Sequence, residues 1–364
     1  MSTLTDISSS QLYQILGAAV KNKGSDLHLK AGKPPSLRLN GELRDLQIPA
    51  LDANSMEKIV SWLCAAAKIS EPADNIKQMD FTFYIKDMGR FRCHIYSQMA
   101  TWAVALRIIP EVIPAPKALR LPPVINYITQ LERGIVLISG ATGMGKSTTV
   151  SSILSEITQK RRCHIVTIED PVEFIIPDGI ATVSQRGIGV DVNNFEDALE
   201  ASFREDPDVL FIGEMRSELS IKVALQAGES GHLCISTIHT ADVRRTIDRI
   251  ANMVSEQAKG AILGRLAESL EVIISQRLLP MKGRKDRILA SEVMVSNPSM
   301  REVIRDVTAH KKITSLLAKQ ATGTNNHTFD QDLISLVKNN LITVETAESA
   351  ATNPSDLMRS LRVQ

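Results

Sequence analysis

Aromatic side chains make up only 4% of the 364 residues, and 42 basic residues face 41 acidic ones, for a formal net charge of +1. Proteins that grip single-stranded nucleic acid line a basic groove with stacking aromatics, and this chain is poorly supplied for that, so no nucleic-acid partner is expected. Nor is there a global field to pull it onto anionic lipid. Cysteine is scarce as well. Cys64, Cys93, Cys163 and Cys234 stand far apart with no C-x-x-C pair, which argues against a zinc knuckle and against a disulfide framework. No apolar run approaches the roughly 18 residues of a membrane span. The opening Met1-Ser2-Thr3-Leu4-Thr5-Asp6 has neither a basic n-region nor an apolar h-region. A cytoplasmic protein without a secretory leader is therefore expected.

The chain does have material for real cores, since 43% of it is hydrophobic, and its length suggests two or three domains. Residues 1–110 read as a small α+β domain. Leu12, Ile15, Leu16 and Ala19 recur at helical spacing within residues 7–20, behind possible caps at Ser8 to Ser10. A second amphipathic helix is expected over 55–68, with Met56, Ile59, Val60 and Leu63 inward. Ser25 to Leu29 and Ser36 to Leu39 alternate polar with apolar residues, and Asn40-Gly41 marks a hairpin turn. Further strands are read at 81–85, 90–96 and 101–109, the first two joined through Asp87-Met88-Gly89. His28 lies on one of the alternating strands and reads as a half-buried structural histidine. Pro110, Pro114 and Pro116 lack donors and stiffen the chain, so 111–120 reads as a semi-rigid linker. The second domain is expected over 121–364.

Near the start of that domain stands Gly140-Ala141-Thr142-Gly143-Met144-Gly145-Lys146-Ser147. The buried-strand run Ile135-Val136-Leu137-Ile138 precedes it, and a helical pattern opening at Thr148 follows. Strand, G-x-x-x-x-G-K-[ST], helix is the phosphate loop in its confirming context. Its glycines let backbone N–H groups close on phosphate oxygens, and the helix points its positive end at the same place. Lys146 supplies charge for the β- and γ-phosphates, and Ser147 offers a hydroxyl to Mg²⁺. ATP and Mg²⁺ are therefore the expected ligands.

Short apolar strands then alternate with helical patterns: His164–Ile168, Asp208–Ile212 and Leu233–Thr237. That alternation is an α/β pattern with a mostly parallel sheet, whose ligands bind beyond the carboxyl ends of the strands. Those ends carry Glu169-Asp170-Pro171-Val172-Glu173, Gly213-Glu214-Met215-Arg216 and Ile238-His239-Thr240, with His232 at the start of the third strand. Hydrolysis needs one carboxylate to orient water and another to hold Mg²⁺. Glu169, Asp170 and Glu214 are the candidates, and the pattern alone leaves open which is the base. A metal site from His232, Cys234 and His239 is disfavoured, because a strand alternates faces and no fourth ligand has useful spacing.

These motifs together resemble the secretion ATPase superfamily, and within it the PilT/PilU-type retraction ATPases of type IV pili. The phosphate loop, Thr167–Glu173, Gly213–Arg216 and Gly231–Thr240 correspond to its Walker A, Asp box, Walker B and His box. Gly24–Leu29, Arg204–Asp208, Ser275–Pro280 and Thr328–Leu333 also match, so the resemblance runs nearly end to end. It implies a PAS-like N-terminal domain, a RecA-like C-terminal domain with a helical tail, and a homohexameric ring. It implies ATP bound by Gly140 to Thr148 between the domains and completed by arginines matching Arg90, Arg92 and Arg107. Glu169, Glu214, His232 and His239 would serve catalysis beside Lys146, while Ser147, Glu169, Asp170 and Glu214 would serve the metal. It further implies an inner-membrane pilus platform protein as partner, a paralogous pilus ATPase as a second one, and a peripheral place at the inner membrane. Ser299–Asp306 departs from the retraction segment A-I-R-N-L-I-R-E in its first residues while keeping both arginines. That leaves PilT-type, PilU-type and other secretion or DNA-transfer roles open, along with a nucleotide-binding scaffold that is not a motor.

Overall fold

The structure is a computed structural model and describes residues 3–4, 8–39, 41–69, 77–109, 112–320 and 325–362. The chain divides into two compact units, Met1–Val112 and Ile113–Gln364.

The first unit opens with β1 (Thr3–Leu4), α1 (Ser9–Lys21), β2 (Asp26–Lys30), β3 (Ser36–Leu39), β4 (Glu42–Asp45) and β5 (Ala50–Leu51). It closes with α2 (Ala53–Ala66), β6 (Gln78–Ile85), β7 (Gly89–Gln98) and β8 (Thr101–Ile109). Helix α1 begins at Ser8, whose side chain caps the Gln11 amide while Gln11 reaches back, a capping box. Ile7 and Asn40, parts of the expected helix and turn, lie outside the described residues. Helix α2 starts two residues before the expected position because Asp52 caps the Ser55 amide. Six strands form an antiparallel sheet in the order β4-β3-β2-β8-β7-β6. Alternation decides its faces. Leu27, Leu29, Phe91, Cys93, Ile95, Val104 and Leu106 turn into one core with Leu12, Leu16, Met56 and Leu63 of the helices. Phe83 and Phe91 stack there with centroids 5.3 Å apart. Each fully buried side chain of this size contributes about 1.5–3 kcal/mol. The other face presents Asp26, His28, Arg92, His94 and Arg107, in cross-strand register.

The second unit contains a seven-stranded sheet in the order β11-β10-β12-β13-β9-β14-β15. Its elements are α3 (Ile125–Ile128), β9 (Gly134–Ser139), α4 (Lys146–Lys160), β10 (His164–Glu169), β11 (Thr182–Gly187), α5 (Phe195–Ser202), β12 (Val209–Ile212), α6 (Glu218–Glu229), β13 (Leu233–Ile238), α7 (Val243–Asn252), α8 (Glu256–Ser269), β14 (Leu270–Pro280) and β15 (Arg287–Val295). Then come α9 (Pro298–Arg305), α10 (Ile313–Gln320) and a tail of α11 (Phe329–Lys338), α12 (Val344–Ala350) and α13 (Pro354–Arg362). Every pairing from β11 to β14 is parallel, and β15 runs antiparallel to β14. Both faces are covered, so the central strands are buried throughout instead of alternating with polar residues. Ile135 and Leu137 of β9 join one core with α5 to α8, and Val136 and Ile138 join another with α4. Residues 113–120, within the stretch read as a linker, pack on this unit. The Ser152 hydroxyl donates to the Pro114 carbonyl at 2.8 Å, and Ile113 joins the α4 core.

Candidate active site

The carboxyl end of β9 runs directly into the phosphate loop, and β14 braces that loop from the side. Gly140 lies so close to β14 that a Cβ there would sit 2.8 Å from the Gln276 carbonyl oxygen, so only glycine fits. Gly145 caps α4 with φ 80°, a conformation that costs glycine nothing. Gln276 donates to the Thr149 hydroxyl at 2.7 Å, and the Met144 sulfur accepts the Leu278 amide at 3.3 Å. The opening amides of α4, at Lys146, Ser147 and Thr148, have no partner within the helix and lack an acidic neighbour in the first turn. That is a cradle for anionic oxygen.

Lys146 is 8% exposed. Its ammonium donates to the carbonyls of Gly140 at 2.9 Å and Ala141 at 3.1 Å, and lies 3.3 Å from His239 Nδ1. Burial pushes its pKa down, while Glu214 and Glu173 pull it back up. The cation thus rests on loop carbonyls in a field from two carboxylates, where phosphate oxygens would be better partners. His239 Nε2 in turn faces Glu214 Oε1 at 3.5 Å. The ends of β9, β12 and β13 therefore converge as Lys146, His239 and Glu214.

Glu214 is aimed by its neighbours. Thr237 donates to the Gly213 carbonyl at 2.6 Å, and the Met215 amide donates to the Thr237 carbonyl at 2.8 Å. Gly213 presses against β10, where a Cβ would stand 3.0 Å from the Ile168 oxygen.

The other candidates are placed differently. Glu169 is 7% exposed and turns sideways, its Oε1 accepting the Thr167 hydroxyl at 2.7 Å and Gln185 at 3.0 Å. Burial pushes its carboxyl above the ordinary range, which these two hydrogen bonds oppose. Asp170 pairs with Arg216 at 3.3 Å, and that guanidinium also lies 4.9 Å from the Phe195 ring centroid. His232 is not brought to Lys146. It precedes β13 at the opposite end of the sheet, within 2.9 Å of the Ser230 hydroxyl and edge-on to Phe203. Glu173, Gln276 and Leu278 were not among the expected site residues. The signal for Gln276 was the polar break Ser275-Gln276-Arg277 inside an apolar strand.

The sequence profile of the family described as "Type II/IV secretion system protein" matches residues 120–348. The chain belongs to this family. It is 33% identical to the type IV pilus retraction ATPase PilT of Pseudomonas aeruginosa, over 95% of this chain and 99% of that one. It is also 33% identical to a twitching motility protein of Neisseria gonorrhoeae, over 89% and 86% of the two chains. Identity to the type IV pilus ATPase PilU of P. aeruginosa is 31%, over 97% and 92%. Among solved structures, the pilus retraction motor PilT with bound ADP superimposes with a TM-score of 0.86 at 35% identity, covering 97% of this chain and all of that one. The second unit is accordingly a RecA-like nucleotide-binding ATPase domain, and the chain is a P-loop ATPase.

In this secretion ATPase the first unit carries the arginines expected to complete the site. On the polar face of its sheet, Arg107 Nε donates to Asp26 Oδ1 at 3.0 Å, and Arg38 approaches the same carboxylate at 3.9 Å. Arg92 lies directly across from Arg107 in the ladder. Arg90 is half-buried, and its Nε has no hydrogen-bond partner among the described residues.

Proposed function

We propose that this chain is a Mg²⁺-dependent ATP-hydrolysing motor that powers type IV pilus retraction. The observation that carries the reading is the meeting of Lys146, His239 and Glu214 at the mouth of the phosphate loop. The near end-to-end similarity to PilT supports it.

Gly140 to Thr148 would hold the phosphates with backbone N–H groups, and Lys146 would exchange its loop carbonyls for phosphate oxygens. The Ser147 hydroxyl and the Glu214 carboxylate suit a hard cation, which prefers oxygen ligands. Mg²⁺, when bound, would neutralise charge on the β- and γ-phosphates. Glu214 would orient water. His239, between Glu214 and Lys146, would report whether Lys146 has turned to a bound phosphate. Asp170 would join the metal's outer shell after leaving Arg216, and Glu169 would act from behind by fixing the strand end. His232 would act away from this site. Arg90, Arg92 and Arg107 would supply charge to the γ-phosphate as it leaves.

A ring of six copies, docked through a pilus platform protein at the inner membrane, is the assembly we propose. No helix among the described residues is long and apolar enough to cross a membrane, in keeping with a peripheral place. A second reading, an accessory ATPase, is favoured by the 31% identity to PilU over 97% of the chain. Deleting the gene separates the two. A principal motor predicts hyperpiliated cells that do not twitch, whereas cells that still retract their pili indicate the accessory role.

A further inference from the structure

The loop that carries His239 is held from behind by two charged side chains of the last hairpin. Arg277 on β14 and Glu292 on β15 are diagonal neighbours on one face, because Ser275 pairs with Glu292 and Arg277 with Ala290. Glu292 is 2% exposed. One of its oxygens accepts the Val243 amide at 2.9 Å, at the first position of α7. The other accepts the Phe329 amide at 3.4 Å, at the first position of α11. A single carboxylate thus sits at the positive ends of two helices. Arg277 approaches the Ala241 carbonyl at 3.4 Å, donates to the Ala350 carbonyl at the end of α12, and lies 3.9 Å from the Phe329 ring centroid.

These contacts fall into two sets. Ala241 and Val243 lie two and four residues past His239, and Phe329 and Ala350 belong to the tail. A brace for the His239 loop has no need of the tail, and a clasp for the tail has no need of the loop. Each of the two side chains holds both.

We propose that Arg277 and Glu292 are positioning residues that couple the His239 loop to tail helices α11 and α12. The proposal rests on the reading that His239 and Lys146 line the nucleotide site. When Lys146 turns to a phosphate, its 3.3 Å contact with His239 is lost, and loop 239–243 is free to shift. Any shift pulls on Glu292 through Val243 and on Arg277 through Ala241, and so on the first turn of α11 and the end of α12. Coupling between binding sites is reciprocal, so a partner seated on the tail would reset His239 and change nucleotide affinity in turn. Charged groups facing the pair are Asp242 before α7, Arg245 on α7 and Asp330 on α11.

The test uses the full chain with R277Q, R277K and E292Q, read by steady-state ATP turnover and by amide hydrogen exchange with and without saturating ADP. We expect R277Q to lower kcat by at least about tenfold while KM for ATP stays within about twofold, because the phosphate loop is untouched. R277K should recover part of kcat, since an ammonium can keep one of the two carbonyls but not both. E292Q should uncouple in the same direction, because its amide can accept only one of the two backbone N–H groups, and it carries the test if R277Q does not fold. Saturating ADP should change the exchange rate over residues 327–352 in the wild type and leave it unchanged in R277Q and E292Q. This reading needs no hydrolysis, so it tests the coupling apart from the proposed motor activity. The proposal is overturned by wild-type kcat in both R277Q and E292Q, by tail protection that still follows ADP in them, or by a wild-type tail that ignores bound ADP.

Discussion

Lys146 and His239 stand 93 positions apart in sequence, yet the ammonium of one lies 3.3 Å from Nδ1 of the other. The contact exists because β9 and β13 are adjacent parallel strands, so their carboxyl ends open at the same edge. Everything proposed for the site depends on that edge.

Replacing Lys146 with Ala should abolish turnover, by at least about 10³-fold, and weaken ATP binding. The fold should survive. Lys146 is held below its ordinary pKa by burial, so the nucleotide-free state binds that proton less well than the unfolded chain does. Its charged form therefore costs stability at neutral pH, an effect that fades as pH rises toward the ordinary lysine value. Melting of the nucleotide-free variant at pH 7 should occur no lower than in the wild type.

Glu169→Gln should be mild in comparison with any change at Glu214. Thr167 and Gln185 both donate to the same Glu169 oxygen, and the glutamine carbonyl can still accept from them. We expect turnover to fall less than about tenfold. A loss in turnover as large as that of a Glu214 variant would return Glu169 to the centre of the chemistry.

Glu292 provides a pH signature. Burial lifts its carboxyl from 4.5 to about 7, so the folded protein holds this proton through a window where the unfolded chain has lost it. Stability from this group is full below about pH 4.5 and falls as pH rises through 7. The shift, about 2.5 units at 1.36 kcal/mol each, corresponds to about 3 kcal/mol. From pH 5 to pH 8 wild type should therefore lose up to that amount relative to E292Q, on top of the pH-independent cost of the amide left without an acceptor, measured as denaturation midpoints of both proteins at both pH values.

Arg107→Ala should lower kcat by at least about tenfold with little change in ATP affinity, if its charge is used mainly as the γ-phosphate leaves. Its pair with Asp26 is more than half exposed on the arginine side, so stability should change by less than about 1 kcal/mol. Equal losses in binding and turnover would show a ground-state contact instead.

Much of this was readable from sequence. Leu12, Ile15, Leu16 and Ala19 all face the first core, as do Met56, Ile59, Val60 and Leu63, because helical spacing and caps are local properties. The phosphate loop and the strand ends after it were equally plain. Strand β11 was not. Its Thr-Val-Ser-Gln-Arg-Gly has no alternation, and Gln185 is fastened there by bonds to Glu169 and Phe174 that are local only in space. His232 misled for a simple geometric reason. Six residues separate it from His239, but they form a strand of about 20 Å at roughly 3.3 Å per residue. The sideways turn of Glu169 was also hidden, since spacing places a side chain on a strand end without saying which neighbour it meets.

The most direct measurement is Mg²⁺-ATP turnover by the purified full chain beside Glu214→Gln, with nucleotide dissociation constants taken on both. The account predicts hydrolysis by the wild type, a loss of at least about 10²-fold in Glu214→Gln, and ATP affinity kept within a few-fold. Turnover in Glu214→Gln equal to the wild type, with ATP still bound, would contradict it.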